Sequence, residues 1–302
     1  MSEFVNINQT PNMSPIIYKM GKCPNCGKDV QERYINLHGE RKQIGNKLCL
    51  DCHKLVVEKL TQGKLDTKLQ KEIFDKQRQE WGRLRLPQMY WDKTFANFIT
   101  KNSVKEIAGN LNKVLKSCVK YANEYPIEYN KWLKENKKPY PSIILYSGVG
   151  QGKTHLVCAI GHRIINRWNG EKVACPIYFV SEGDIYRRII ATYSYSQEER
   201  MNKPSEDDII NYLIKVPLLI LDDLGKEARS DLKFIQRIMF NIVDGRYKAM
   251  LPMIITTNMA PSELQLYIGS EAESACCSRL YEMSKEYQWQ INAEDYRIKE
   301  NA

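Results

Sequence analysis

Nowhere do the 302 residues offer the run of about 20 consecutive apolar residues that spans a bilayer. The opening segment, Met1 to Thr10, is polar and lacks the apolar stretch of a secretory signal. Together these absences argue against a membrane protein and for the cytoplasm, where thiols stay reduced and clustered cysteines suggest metal rather than disulfides. Acidic residues are also in deficit: 36 Asp and Glu against 45 Lys and Arg leave a net charge of +9. That excess favours polyanions such as DNA, although ordinary solubility accounts for it equally well. What is present is ample apolar material, 43% of residues, enough for one large domain plus a small one.

The most informative segment begins at the apolar run Ile143-Ile144-Leu145-Tyr146, which leads into Ser147-Gly148-Val149-Gly150-Gln151-Gly152-Lys153-Thr154-His155-Leu156. A strand, a glycine-rich turn and a helix in that order are the context of a phosphate-binding P-loop. Gly148, Gly150 and Gly152 let successive backbone N–H groups converge on phosphate oxygens, and the helix adds its positive end. Lys153 is expected to reach the β- and γ-phosphates, and the Thr154 hydroxyl to ligate Mg²⁺. Gln151 and His155 belong to the same nucleotide-binding stretch. One departure stands out: the strict motif has glycine where Ser147 stands, which predicts a negative φ or mild strain there. The chain is therefore expected to bind ATP or a similar nucleoside triphosphate.

Near the N-terminus, Cys23-Pro24-Asn25-Cys26 and Cys49-Leu50-Asp51-Cys52 form two C-x-x-C knuckles around a 22-residue spacer long enough for a hairpin. Each knuckle points two thiolates at a common centre, so Cys23, Cys26, Cys49 and Cys52 predict a closed, structural zinc site. Gly27 suits the tight turn after the second ligand. His38 and His53 are spare, and a redox dithiol is the competing reading. Cys118, Cys158, Cys175, Cys276 and Cys277 lack ligand spacing and read as buried apolar residues. From Lys54 to Leu86 the pattern turns helical and basic, with an interruption at Gly63, until Leu86-Pro87 breaks it.

A second buried strand, Val216 to Leu221, ends in Asp222-Asp223-Leu224-Gly225, the Walker B position of a P-loop sheet. Asp222 is expected to hold Mg²⁺ through water and Asp223 to polarise the attacking water. Aspartate at the second place is a methylene shorter than the frequent glutamate, which predicts slow hydrolysis. A further strand, Met253 to Thr257, ends at Asn258, placed to orient that water. Arg279 has no evident role in its own site, and such an arginine can reach a neighbour's γ-phosphate. Tyr287 to Ile291 reads as a fifth strand.

The succession of the Walker A loop, L-L-I-L-D-D-L-G (218–225), R-Y-x-x-x-L-P-x-I-I-T-T-N (246–258) and Ser278-Arg279-Leu280 resembles the AAA+ helicase loaders of the DnaC/DnaI family. The likeness runs from about Leu86 to Arg297 and takes in Phe95 to Phe98 and the tail Ala293 to Arg297. It implies an α/β fold, an AAA+ P-loop NTPase with a five-stranded parallel sheet of order 5-1-4-3-2 and no C-terminal helical lid. It further implies that Asn258 is sensor 1, Arg279 an arginine finger and Arg297 a further phosphate sensor. The family delivers a hexameric replicative helicase onto single-stranded DNA under ATP control and self-assembles with ATP at subunit junctions. The zinc module is similar to that of the DnaI branch, where it docks on the helicase. Asp184 to Lys215, with Arg187, Arg188 and several tyrosines, occupies the interval where relatives line a DNA path, although Tyr193 and Tyr195 also suit plain packing.

The expected organisation is a flexible N-terminus (1–20), a zinc-binding module (21–60), a basic helical linker (61–85) and the ATPase domain (86–302). Two alternatives accompany the loader. One is the IstB-type transposition ATPase, which shares the core but lacks the zinc module. The other is an ATP-dependent helicase-binding switch that hardly turns over.

Overall fold

The computed structural model describes residues 17–24, 26–37, 40–44, 48–54, 67–102, 104–167, 175–226, 232–269 and 275–299. Two compact units emerge: residues 1–73 with 197–204, and residues 74–196 with 205–302. Gly63, His38 and residues 55–66 of the expected basic helix lie outside the described residues.

In the smaller unit, β1 (Ile17–Lys22), β2 (Asp29–Leu37) and β3 (Glu40–Ile44) form an antiparallel meander. Lys22 pairs with Asp29 and Leu37 with Glu40. The spacer between the two knuckles thus holds the hairpin β2–β3. Cys23, Cys49 and Cys52 are buried beside Val30 and Leu48, a core too small to hold a fold without further help.

Next in the chain come α1 (Thr67–Arg85), α2 (Lys105–Glu124), α3 (Tyr129–Asn136), β4 (Ile143–Tyr146), α4 (Lys153–Asn166), β5 (Ile177–Ser181) and α5 (Glu182–Tyr193). The short α6 (Gln197–Asn202) is grouped with the smaller unit. The larger unit continues through α7 (Glu206–Lys215), β6 (Leu218–Leu224), α8 (Leu232–Lys248), β7 (Met253–Thr257), α9 (Pro261–Ile268), α10 (Ala275–Ser284), β8 (Gln288–Gln290) and α11 (Tyr296–Lys299). Among the described residues no helix is long and apolar enough to cross a membrane.

The five strands of this unit run β5-β6-β7-β4-β8, all parallel. Numbered along the ATPase core, that is the expected order 5-1-4-3-2. A parallel sheet is covered on both faces, so its strands are apolar throughout rather than alternating. In β4, Ile144 and Tyr146 join the core shared with α5, α7, α8, α9 and α10. Their neighbours Ile143 and Leu145 join the core shared with α2, α3 and α4. The fifth strand is shorter than expected, three residues at the sheet edge, but the Ile291 N–H still donates to the Tyr146 carbonyl at 2.8 Å.

Among the described residues one charged side chain is wholly buried in this core. Arg246 of α8 is 0% exposed and donates to the carbonyls of Leu213 (2.6 Å), Ile214 (3.2 Å), Val216 (2.9 Å), Pro217 (3.3 Å) and Pro252. It satisfies the last carbonyls of α7, which a helix cannot satisfy by itself, and fixes the entries of β6 and β7. Burial lowers its pKa to about 10, which leaves it a cation at neutral pH.

Candidate functional site

The loop Ser147–Gly152 leaves the carboxyl end of the central strand β4 and enters α4, as the sequence pattern requires. Gly150 (φ 71°) and Gly152 (φ 91°) occupy the left-handed region where only glycine is at ease. A Cβ at Gly152 would meet the Phe98 ring at 2.8 Å, and one at Gly150 would collide with the Asp295 carboxylate. Ser147 and Gly148 do not have positive φ, so serine in place of the motif's first glycine introduces no strain. Its hydroxyl instead accepts from Lys153 Nζ at 2.8 Å and donates to the Gly148 carbonyl at 2.9 Å.

Lys153 heads α4 with its ammonium among Ser147 O (3.1 Å), Ser147 Oγ, Gly148 O (2.8 Å) and Asn258 Oδ1 (2.6 Å). The loop lysine and the residue after β7 are thereby joined, although they stand 105 positions apart. Beside them the Thr154 hydroxyl lies 3.1 and 3.2 Å from the two Asp222 carboxylate oxygens. A hydroxyl and a carboxylate side by side are the hard oxygen donors that Mg²⁺ takes together with phosphate and water. Thr154 and Asp222 therefore fit the ion that a P-loop site implies. The ion's chemistry there would be to neutralise phosphate charge.

Consecutive residues of a strand point to opposite faces, so two adjacent carboxylates need a device to share one site. The device is an irregularity in the β6–β7 pairing between Leu221 and Leu224, with Asp223 at φ 58°. Thr256 of β7 holds both acids: its hydroxyl donates to Asp222 Oδ1 at 2.6 Å and accepts from the Asp223 N–H at 2.9 Å. Burial raises the Asp222 carboxyl to about 6, with the Thr256 and Thr154 hydrogen bonds opposing the rise. Asp223 is half-buried, 3.1 Å from Lys226 Nζ.

These groups line a cavity of about 420 Å³ whose wall includes Lys153, Thr154, Asp223, Lys226 and Asn258. Tyr90, Phe98 and Tyr296 add aromatic rings to its lining. Two flanking segments brace the loop. From the N-terminal side, the His155 ring nitrogen Nε2 contacts Thr94 O (2.9 Å) and Asn97 Oδ1 (3.1 Å), and Phe98 packs edge-on at 5.3 Å. Burial lowers the His155 pKa, favouring the neutral ring. From the C-terminal side, Gln151 donates to Ala293 O, the Tyr296 N–H donates to Gly150 O (3.1 Å), and the Tyr296 hydroxyl donates to Ile99 O (2.8 Å).

Arg279 is apart from this cavity. It lies on α10, partly buried, 3.0 Å from Asp244 Oδ1 and over the rings of Phe240 and Tyr247. Arg297 belongs to α11, but its side chain lies outside the described residues. Of the residues in the 184–215 interval, Arg187 is exposed and paired with Asp184 at 2.5 Å, whereas Arg188 donates to Tyr178 OH. The Tyr193 hydroxyl, on an exposed ring, donates to Glu206 at 2.5 Å.

In the smaller unit the four sulfurs of Cys23, Cys26, Cys49 and Cys52 all lie within 4.8 Å of one another, with Cys26 and Cys49 at 3.5 Å. Zinc–sulfur bonds of about 2.3 Å in a tetrahedron set sulfurs about 3.8 Å apart, so the cluster fits zinc. The Gly27 N–H donates to the Cys23 carbonyl at 2.8 Å, and Gly27 has φ 76°, the knuckle turn expected of it. Cys118, Cys158, Cys276 and Cys277 are buried and Cys175 is half-buried. Burial pushes Cys276 up to about 12, which leaves it a neutral thiol.

The sequence pattern assigned no role to Thr256, Thr94 or Tyr296. Two successive threonines in a fully buried strand are the available signal, since a buried hydroxyl must find a partner.

A family model described as IstB-like ATP binding protein matches residues 131–302. The chromosomal replication initiator protein DnaA of Thermosipho africanus is 30% identical over 174 residues, 57% of this chain and 32% of that protein. DnaA of Thermosipho melanesiensis is 32% identical over 139 residues, 45% of this chain and 29% of that one. The chain thus spans about a third of the length of these curated relatives. The crystal structure of DnaI superposes with a TM-score of 0.50 at 20% identity, over 70% of this chain and 93% of that one, a likeness of fold.

Proposed function

The chain belongs to the IstB-like ATP binding protein family, and from that premise we propose that it is a cytoplasmic AAA+ ATPase that loads a hexameric replicative helicase onto single-stranded DNA. The observation that carries the ATPase reading is the convergence of Lys153, Thr154, Asp222, Asp223 and Asn258 on one site. In this reading Gly148, Gly150, Gln151, Gly152 and His155 cradle and brace the triphosphate, Lys153 draws its β- and γ-phosphates, and Thr154 with Asp222 holds Mg²⁺. Asp223 polarises the attacking water and Asn258 orients it. Arg279 acts in trans on a neighbour in an ATP-dependent homo-oligomer, where such fingers are worth about 10³–10⁵ in rate. Arg297 serves as a further phosphate sensor. The zinc module (21–60), joined by the basic linker (61–85) to the ATPase domain (86–302), docks on the helicase. Arg187 and Tyr193, exposed on α5, supply the cation and ring that suit single-stranded DNA.

The test is gel filtration of the purified chain with the host's hexameric helicase, ATP and labelled single-stranded DNA, using Asp223→Asn to trap the ATP-bound state. A ternary complex that is lost in Cys23→Ser/Cys26→Ser supports the loader. The family match also favours a second reading, an ATPase that regulates transposition on duplex DNA. ATP-dependent binding to duplex DNA, with none to the helicase, would select it.

A further inference from the structure

We propose that Glu182 is a positioning residue for hydrolysis, holding the turn that follows the Walker B carboxylates so that Asp223 keeps its orientation toward the phosphates. This rests on the ATPase reading above. Glu182 begins α5, immediately after β5, yet it is only 1% exposed. Its Oε2 accepts from the N–H groups of Gly225 (2.8 Å) and Lys226 (3.3 Å). Its Oε1 accepts from the hydroxyls of Tyr186 on α5 (2.8 Å) and Tyr267 on α9 (2.9 Å). Four donors match the four acceptor positions of a carboxylate, and they come from three separate elements.

The turn so held is conformationally demanding. Asp223 (φ 58°) and Gly225 (φ 93°) both sit in the left-handed region, and a Cβ at Gly225 would meet the Met259 sulfur at 2.5 Å. Such backbone persists only where its surroundings over-determine it. Thr256 fixes the Asp223 N–H from one side, and Glu182 fixes the amides of Gly225 and Lys226 on the other. Lys226, whose N–H Glu182 accepts, also places its ammonium 3.1 Å from Asp223 Oδ2. Glu182 does not line the nucleotide cavity, so its effect passes through Asp223, and a misplacement of about 1 Å at the reacting groups costs on the order of 10² in rate.

Glu182→Ala should lower kcat about 10- to 100-fold while nucleotide Kd, measured with a fluorescent ATP analogue, stays within about twofold. Glu182→Gln keeps one oxygen for Gly225 and Lys226 and turns its amide toward the tyrosine oxygens, so it should restore most of the rate. Because alanine at a buried site can impair folding, Tyr267→Phe serves as the mild variant, with an intermediate loss of kcat. In Glu182→Ala the amides of Gly225 and Lys226 should exchange hydrogen about tenfold faster, with no change at Leu219 to Leu221. Wild-type hydrolysis retained in full by Glu182→Ala, or unchanged exchange at residues 225 and 226, would overturn the positioning role alone. Nucleotide-independent loss of activity in step with melting temperature, unrescued by glutamine, would reduce Glu182 to a structural residue. A wild-type protein that binds ATP but never hydrolyses it would overturn the enzymatic reading itself, and this role with it.

Discussion

Arg246→Met should destabilise the larger unit by about 3–5 kcal/mol, as expected when the donor of a buried hydrogen-bond network is removed. Five carbonyls accept from the guanidinium, and each buried acceptor left without a donor costs about 1–3 kcal/mol. Methionine relieves the desolvation of a buried cation, several kcal/mol in the opposite direction, so the sum over carbonyls is an upper bound. Against a total stability of about 5–15 kcal/mol, the remainder is a large fraction. In a unit of this size each kcal/mol moves the melting temperature by about 2–4 °C, so the melt should fall by about 6–20 °C. Arg246→Lys retains the charge but brings at most three donors from a single point, and should lose roughly half as much. The assay is thermal unfolding followed by circular dichroism at fixed zinc and nucleotide concentration. A shift under about 3 °C for Arg246→Met would refute the view that this residue closes α7 and seats β6 and β7.

Lys153→Ala should abolish binding of a fluorescent ATP analogue; unchanged affinity would remove the P-loop assignment. The Asp222 carboxyl is raised from 3.8 to about 6, so between those values the folded state binds more protons than the unfolded one, and metal-free stability must fall as pH rises through that window. Asp222→Asn should erase this slope and, at pH 7, gain on the order of 2–3 kcal/mol in denaturant titrations while losing Mg²⁺-dependent nucleotide binding. The purified chain should carry one zinc by elemental analysis, and Cys23→Ser/Cys26→Ser should carry none. Arg279→Ala should leave ATP binding intact but cut hydrolysis, and mixing it with Asp223→Asn should restore part of the activity; no recovery would argue against action in trans.

The parts of the site that lie on one short stretch were legible in the sequence. A strand, three glycines, a lysine and a threonine announce their own geometry, as do two C-x-x-C pairs. The strand order followed from the family resemblance, because no local pattern states which strand pairs with which. What could not be read were polar partnerships over long separations. Glu182 meets Gly225 and Tyr267, and Arg246 meets Leu213 and Val216, yet nothing near any of these residues signals the other. The sequence shows no role for Arg279 in its own site, and only the packing of α8 against α10 brings Asp244 to 3.0 Å from it. The bend at Asp223 was hidden too, since an aspartate carries no glycine's advertisement of positive φ.

The placement of β4 in the sheet also sets a timetable for synthesis. Its two neighbours are β7 and β8, and β7 begins only at Met253, more than a hundred residues after the P-loop strand ends at Tyr146. At ribosomal rates of about 5–20 residues per second, the strand spends roughly 5–20 s outside the exit tunnel with both edges unpaired. Nucleotide can assist folding only after that interval, because Thr256 and Asn258 are not made until its end. The nascent chain is thus a natural client for chaperones over that stretch, and ribosome pausing between codons 150 and 250 would lengthen its exposure.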